Sequence, residues 1–220
     1  MAKLPFDPEQ LPIESIGGEA PVESARLTAD WLRRHFAAPP EWQPEALDES
    51  VGRRPVMIPA AVLIPLVDRP GGLTMLLTRR TDHLSSHAGQ ISFPGGRAEE
   101  VDASPFDTAL REAQEEIGLD PRQVDIIGRL PDYLTGTGYH VVPVVALLTP
   151  PLDLVADPGE VAEIFEVPLA HLMNGAHHQR LSIELPTGGR RNFYAMPYER
   201  YFIWGATAGM LRNLFHFLRA

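Results

Sequence analysis

The sequence predicts an α/β fold in which a mixed β-sheet carries helices on both sides. Three observations predict it. Residues 58–67 (IPAAVLIPLV) and 141–148 (VVPVVALL) are nearly continuous apolar runs, as expected of strands covered on both faces. Shorter strand-like runs are interleaved with stretches whose apolar residues recur at helical spacing. Elements mixed in this way bury their apolar sides by layering helices on a sheet. At 220 residues the chain can enclose a real core, and one domain is the natural division.

Residues 1–50 read as an N-terminal extension, rich in proline apart from one helix over 22–36. The stripe Ala25, Ala29, Leu32 and Phe36 would pack on the main body or on a second subunit of a homodimer. Residues 51–220 read as the main domain. Strands are expected at 60–67, 73–78, 124–130, 140–148 and 164–167, with another at 192–196. A last helix over 203–218 would bury Ile203, Thr207, Met210, Leu211, Leu214 and Leu218.

The helix after residue 104 carries the chemistry. Ser104 stands where an N-cap would, Pro105 at the first helical position and Asp107 where a capping-box acid belongs. Gly118 is a natural stop. The spacing makes Phe106, Leu110, Ala113 and Ile117 the buried stripe and leaves the glutamates facing solvent or a ligand. Glu112 and Glu116 stack one turn apart, with Glu115 beside them. Like charges so placed weaken an isolated helix. A hard divalent cation with oxygen ligands would offset that cost. An acidic helix face can also be mere solvated surface. What sets this one apart is its company: Phe93-Pro94-Gly95-Gly96 upstream, Arg111 before the first glutamate and Gly118 after the last.

These residues resemble the Nudix box, G-x5-E-x7-R-E-U-x-E-E-x-G-U, where U is a bulky aliphatic. Gly96, Arg111, Glu112, Glu115, Glu116, Gly118 and Leu119 match it, and Ala113 is small for the first U position. One part departs. The first acidic position falls on Asp102 rather than glutamate, and eight residues rather than seven separate it from Arg111. Upstream, Leu76-Leu77-Thr78-Arg79-Arg80, Leu84, His87, Gly89 and Phe93-Pro94-Gly95-Gly96 are similar to the LLT…L-x-x-H-x-G-x-x-x-FPGG signature of Nudix enzymes that split coenzyme A. Ile203-Trp204-Gly205-Ala206-Thr207-Ala208 resembles a further segment of that group.

The resemblance implies a Nudix-type α/β/α sandwich and a Mg²⁺- or Mn²⁺-dependent diphosphatase. It would cut coenzyme A, or a derivative, to 3′,5′-ADP and 4′-phosphopantetheine. It makes Glu112, Glu115 and Glu116 metal ligands, with a carbonyl of Gly95 or Gly96. Oxygen donors without cysteine suit Mg²⁺ or Mn²⁺ better than zinc. Glu112 and Glu115 are candidate bases, and so are Glu160 and Glu163 in the later PGEVAEIFEVPL segment. Arg111 would orient the glutamates. Arg79, Arg80, His87 and Phe93 are the candidate substrate contacts, although His87 read alone is as readily a satisfied structural side chain and Phe93 with Pro94 can serve only to set the turn. Other nucleoside diphosphates, such as NADH or ADP-ribose, and a purely nucleotide-binding role are the rival readings. The lack of a cysteine zinc ribbon weighs against NADH, and the retained glutamates weigh against a mere binder.

Composition narrows the classes further. There is no cysteine, which excludes disulfides and thiolate metal sites. His177-His178 has no third ligand at useful spacing, so a zinc reading is rejected. The net charge of −10 argues against non-specific nucleic-acid binding, which needs basic surface. No apolar run has the length of a membrane span, and the first twenty residues lack a signal-peptide pattern. A small-molecule substrate in the cytoplasm is the expectation.

Overall fold

The computed structural model describes residues 6–45, 57–84, 88–184 and 189–220. In chain order the strands and α-helices are β1 (Ile13–Ile16), α1 (Ala29–Ala37), β2 (Ile58–Arg69), β3 (Gly72–Arg80), β4 (Ile91–Ser92), β5 (Gly95–Arg97), α2 (Pro105–Ile117), β6 (Val124–Arg129), β7 (Tyr133–Leu134), β8 (Tyr139–Leu148), β9 (Val161–Pro168), α3 (Leu169–Leu172), β10 (Gln179–Glu184), β11 (Arg190–Tyr198), β12 (Tyr201–Trp204) and α4 (Gly205–Arg219).

The main sheet has eight strands and is mixed. Its spine runs β4-β3-β2-β8-β6, with β5 on β2, β7 on β8 and β9 on β3. The two long apolar runs, β2 and β8, lie parallel at its centre over ten paired residues. Side chains alternate across a strand, and here both sides are covered. Ala61, Leu63 and Val67 join Val142, Val144, Ala146 and Leu148 under Ala109, Ala113 and Ile117 of α2. Ala60, Ile64 and Leu66 join Val141, Val145 and Leu147 on the other face, with Leu32 of α1 and Leu211, Leu214 and Phe215 of α4. The result is the α/β/α sandwich that the sequence predicts. Leu63 is fully buried, and truncating such a side chain to alanine costs about 2–5 kcal/mol.

Several elements differ from expectation. The first helix begins at Ala29, not 22, because Thr28 caps it by accepting from the Trp31 N–H at 3.3 Å. The last helix begins at Gly205, because 201–204 form a strand whose Tyr201 and Ile203 are both buried. Gly205, at φ +65°, then turns the chain into the helix. A second sheet, ordered β1-β10-β11-β12, is absent from the sequence reading apart from its third strand. It packs Met196, Tyr201 and Ile203 into the core beneath α4.

Residues 6–45 lie against this body. β1 pairs with β10, and α1 packs Phe36 on Phe217 of α4. Glu19 and Glu45 meet the buried Arg212 guanidinium, which also donates to Nδ1 of the fully buried His178 at 3.0 Å. Among the described residues no helix is long and apolar enough to cross a membrane.

Candidate active site

The site lies where the start of β2, the end of β3 and the helix α2 meet. Gly95 and Gly96 run antiparallel to Val62 and Ala61 of β2, which fixes the loop above the sheet. A Cβ on Gly95 would strike the Ala61 carbonyl and the Val62 backbone. One on Gly96 would stand 2.6 Å from Glu112 Oε2. The paired glycines are therefore required by close approach on two sides. Phe93 is 2% exposed and sits in the core on the α4 side. Its ring anchors the loop and offers no face to a ligand.

Helix α2 has the caps its sequence predicts: Ser104 Oγ accepts from the Asp107 N–H, and Gly118 ends the helix at φ +66°. Its rotation differs. The buried residues are Thr108, Ala109, Ala113, Glu116 and Ile117, whereas Phe106 is 37% exposed. Glu116 is thus turned inward, at 4% exposure, beneath the glycine loop. The Gly95 N–H donates to its Oε2 at 3.3 Å, and Arg80 Nη1 approaches Oε1 at 3.5 Å. Burial pushes its carboxyl up to about 8, against the pull of Arg80 and of the Gly95 N–H. Burial likewise raises Glu112, with Arg111 opposing.

Asp102 is the acid that departs from the box, and its place is clear. Its side chain is 4% exposed. Arg111 forks onto it, Nε to Oδ1 and Nη2 to Oδ2, both at 3.0 Å. Thr108 Oγ1 and the Glu99 N–H, both at 2.9 Å, also donate to Oδ2. Hydrogen bonding from Arg111 holds this carboxyl far below the usual range. The same guanidinium donates from Nη1 to Glu115 at 2.9 Å, lies 3.0 Å from Glu112 and donates from Nη2 to the Arg97 carbonyl. Arg111 therefore ties the loop, Asp102 and two glutamates into one unit.

The remaining sequence candidates divide between two faces. Arg80 points to the α2 side, between Glu116 and Glu160 at 3.5 Å each, and its buried Nε has no hydrogen-bond partner among the described residues. Arg79 points to the other side, 3.7 Å from Glu163. Glu163 is held there by Arg200 and by the Tyr201 hydroxyl at 2.7 Å. The structure thus does not bring Glu163 to Glu112 and Glu116, and Glu160 is the late glutamate on their side. His87 lies outside the described residues. The His177-His178 pair serves structure: His177 meets the His171 carbonyl, and His178 the Leu172 carbonyl.

Among the described residues no three His, Asp or Glu side chains converge as a ready ligand set. The donors still fit a hard divalent cation. A nearly buried carboxylate with only long contacts, a second one a turn away and the backbone of the glycine pair beside them offer oxygen alone. Mg²⁺ takes one or two carboxylates and leaves its other positions to water and substrate.

A mixed sheet with this helix and glycine loop defines a class, and comparison with known proteins names it. A NUDIX domain model matches residues 57–185. The chain belongs to the Nudix hydrolase family, whose enzymes work with divalent metals. A protein named Uncharacterized Nudix hydrolase NudL, from Escherichia coli O139:H28, is 40% identical over 193 residues, covering 88% of this chain and 96% of that one. A protein of the same name from Escherichia coli K12 is 45% identical over 155 residues, covering 70% and 80%. Among solved structures, the Nudix hydrolase RenU from M. smegmatis matches with TM-score 0.45 at 25% identity, over 59% of this chain and 80% of that one. The assignment rests on the domain match and the sequence relatives.

Proposed function

We propose that this Nudix hydrolase cleaves the diphosphate link of coenzyme A or a close derivative, releasing 3′,5′-ADP and 4′-phosphopantetheine. The observation that carries the reading is the meeting of two motifs. The strand that ends Leu76-Leu77-Thr78-Arg79-Arg80 delivers Arg80 to Glu116, and the Phe93-Pro94-Gly95-Gly96 loop closes over the same carboxylate. That Arg80 and the glycine loop, each from a segment resembling the coenzyme A signature, meet a glutamate of the Nudix box supports the reading.

Glu112 and Glu116, with a carbonyl of Gly95 or Gly96, would hold Mg²⁺ or Mn²⁺, and Glu115 would act as an outer ligand. When bound, such a cation would neutralise charge on the phosphoryl oxygens and acidify a water. Arg80, partly exposed and held only by 3.5 Å contacts from its Nη atoms, faces the diphosphate. Glu160, half exposed beside Arg80, accepts the proton of the attacking water as the P–O bond breaks. Arg111 touches no substrate and fixes the glutamates.

Coenzyme A incubated with enzyme and Mg²⁺ or Mn²⁺ in ¹⁸O-water, followed by mass spectrometry, tests the reading. One labelled product of the expected masses supports it and shows which phosphorus is attacked. Turnover of ADP-ribose or NADH at higher kcat/KM, with coenzyme A untouched, replaces it with another nucleoside diphosphate. Nucleotide binding without any phosphate product replaces it with a binding role.

A further inference from the structure

A second set of residues faces the same end of the main sheet and is not used by the chemistry above. In the small sheet, Met196, Tyr201 and Ile203 turn into the core. Side chains alternate, and Ala195 pairs with Trp204. Arg191, Phe193 and Trp204 therefore share the opposite face. Phe193 and Trp204 lie 5.4 Å apart, both partly exposed. Phe6 covers them at 6.3 and 6.2 Å, so a base carried by this pair takes the place of the Phe6 ring.

Arg191 crosses from this face to the main sheet. Its guanidinium lies on Gly136, where any Cβ would collide with it. It also lies near the Tyr133 ring, which in turn packs on Gly209 of α4. Arg191 is only partly exposed, and no acidic side chain pairs with it among the described residues. A half-buried cation without a counter-ion is costly to keep. The adjoining turn, Leu134-Thr135-Gly136-Thr137-Gly138, adds two hydroxyls, 3.0 Å apart.

The position of this group of residues is fixed by three contacts. The Gly138 carbonyl accepts from the Ile58 N–H at the start of β2, and the Pro59 carbonyl accepts from the Ala98 N–H just beyond the glycine loop. Thr207, three residues after Trp204, donates to the Ile91 carbonyl just before Phe93. Arg191 and the ring pair are therefore linked to the glycine loop from the side opposite α2.

We infer that these residues read the nucleotide end of the substrate: Arg191 takes a phosphomonoester on the ribose, and the Phe193–Trp204 pair carries the base. The inference rests on the diphosphatase reading above and names the part of the substrate that sets specificity. A ribose phosphate stands one sugar away from the diphosphate, so a group that reads it must flank the cleavage site without touching it. Arg191 stands off the glycine loop, joined to it through the Gly136 turn and the start of β2, and a guanidinium on a phosphate dianion forms the stronger, charge-assisted kind of hydrogen bond.

The test compares coenzyme A with its 3′-dephospho form. Wild-type enzyme should prefer coenzyme A, and Arg191→Gln should lower kcat/KM for it by roughly ten- to a hundredfold, mainly through KM, with little change for the dephospho form. Arg191→Lys should recover part of the preference. Phe193→Ala should weaken both substrates alike, by roughly fivefold or more. A separate calorimetric arm measures adenosine 3′,5′-bisphosphate against AMP. Tighter binding of the bisphosphate, lost in Arg191→Gln, supports the inference even if neither coenzyme is split, the outcome that removes the diphosphatase reading alone. Equal binding of the two nucleotides, or a preference that survives in Arg191→Gln, overturns it.

Discussion

Asp102 offers the sharpest test of how the site is held. Replacing it with alanine removes a two-pronged guanidinium contact and leaves Thr108 Oγ1 and the Glu99 N–H without their acceptor. Breaking one side of a buried ion pair costs about 3–5 kcal/mol. Arg111 keeps Glu112, Glu115 and the Arg97 carbonyl and is 18% exposed, which places the loss near the lower end, about 3 kcal/mol. For a chain of this size that lowers Tm by roughly 6–12 °C. The effect must depend on pH. Asp102 has a depressed folded pKa, so its stabilisation is present above the unfolded value, about 3.9, and is lost as pH falls below it. Urea unfolding should therefore show the wild-type advantage at pH 7 and a narrowing gap below about pH 4. Asp102→Glu should not restore the enzyme, because the close packing around this carboxylate suits the shorter side chain. A Tm within about 2 °C of wild type at pH 7, with kcat/KM unchanged, would show that Arg111 and the glutamates are positioned by something else.

Two more predictions follow from buried groups. Glu116→Gln should cut kcat/KM by roughly a hundredfold or more and abolish Mn²⁺ binding measured by titration calorimetry. Without metal its Tm should equal or exceed that of wild type, since burial already disfavours the charge; normal turnover in that variant removes Glu116 from the mechanism. His178 is held neutral, its pKa pushed down to about 4 chiefly by burial. It accepts from Arg212 at Nδ1 and donates from Nε2 to the Leu172 carbonyl, and a second proton would break the first bond. Its folded value lies below the unfolded 6.5. The associated stability is thus complete above pH 6.5 and declines as pH falls toward 4, by up to about 3 kcal/mol. His178→Gln should flatten that part of the urea-derived stability profile, and an unchanged slope refutes the assignment.

How much of this was legible in the sequence depended on how local each signal was. The caps of α2 and the central strands β2 and β8 were readable because caps are single residues and both-face burial leaves continuous apolar runs. The rotation of α2 was not. Period alone made Phe106 and Leu110 as good a buried stripe as Thr108 and Ala109, and only the glycine loop over Glu116 decides between them. Glu160 and Glu163 look equivalent in the chain. They separate once register pairs Arg79 with Glu163 and Arg80 with Val161, which sends adjacent arginines to opposite faces. The strands β1 and β10 gave little signal, since Ile13–Ile16 is exposed throughout and Gln179–Glu184 is mostly polar. Arg191 was missed for a different reason: an arginine at the start of a strand means nothing until its lack of an acidic partner among the described residues is seen.

The net charge of −10 raises the question of how so acidic a chain receives a polyanion, and the answer lies in which cations are already occupied. Arg111 is committed inward to Asp102, Glu112 and Glu115, and hydrogen bonding to Asp102 raises its pKa further. It contributes structure and no attraction. Arg80 is different, since its 3.5 Å contacts are longer than the 2.7–2.9 Å of a strong charge-assisted bond. Arg191 has no acid partner at all among the described residues. On the proposed reading, Arg80 and Arg191 would approach the substrate from opposite sides of the glycine loop, with separate targets. Arg80→Gln should raise KM for every diphosphate the enzyme cuts, roughly tenfold, whether or not the ribose carries a phosphate. Arg191→Gln should act only on the phosphorylated one. Because the two groups share no partner, their effects on coenzyme A should multiply in the double variant. If Arg80→Gln instead spares the dephospho substrate, or the double variant is no worse than either single one, the two arginines serve one anion and the division of labour between the two faces is wrong.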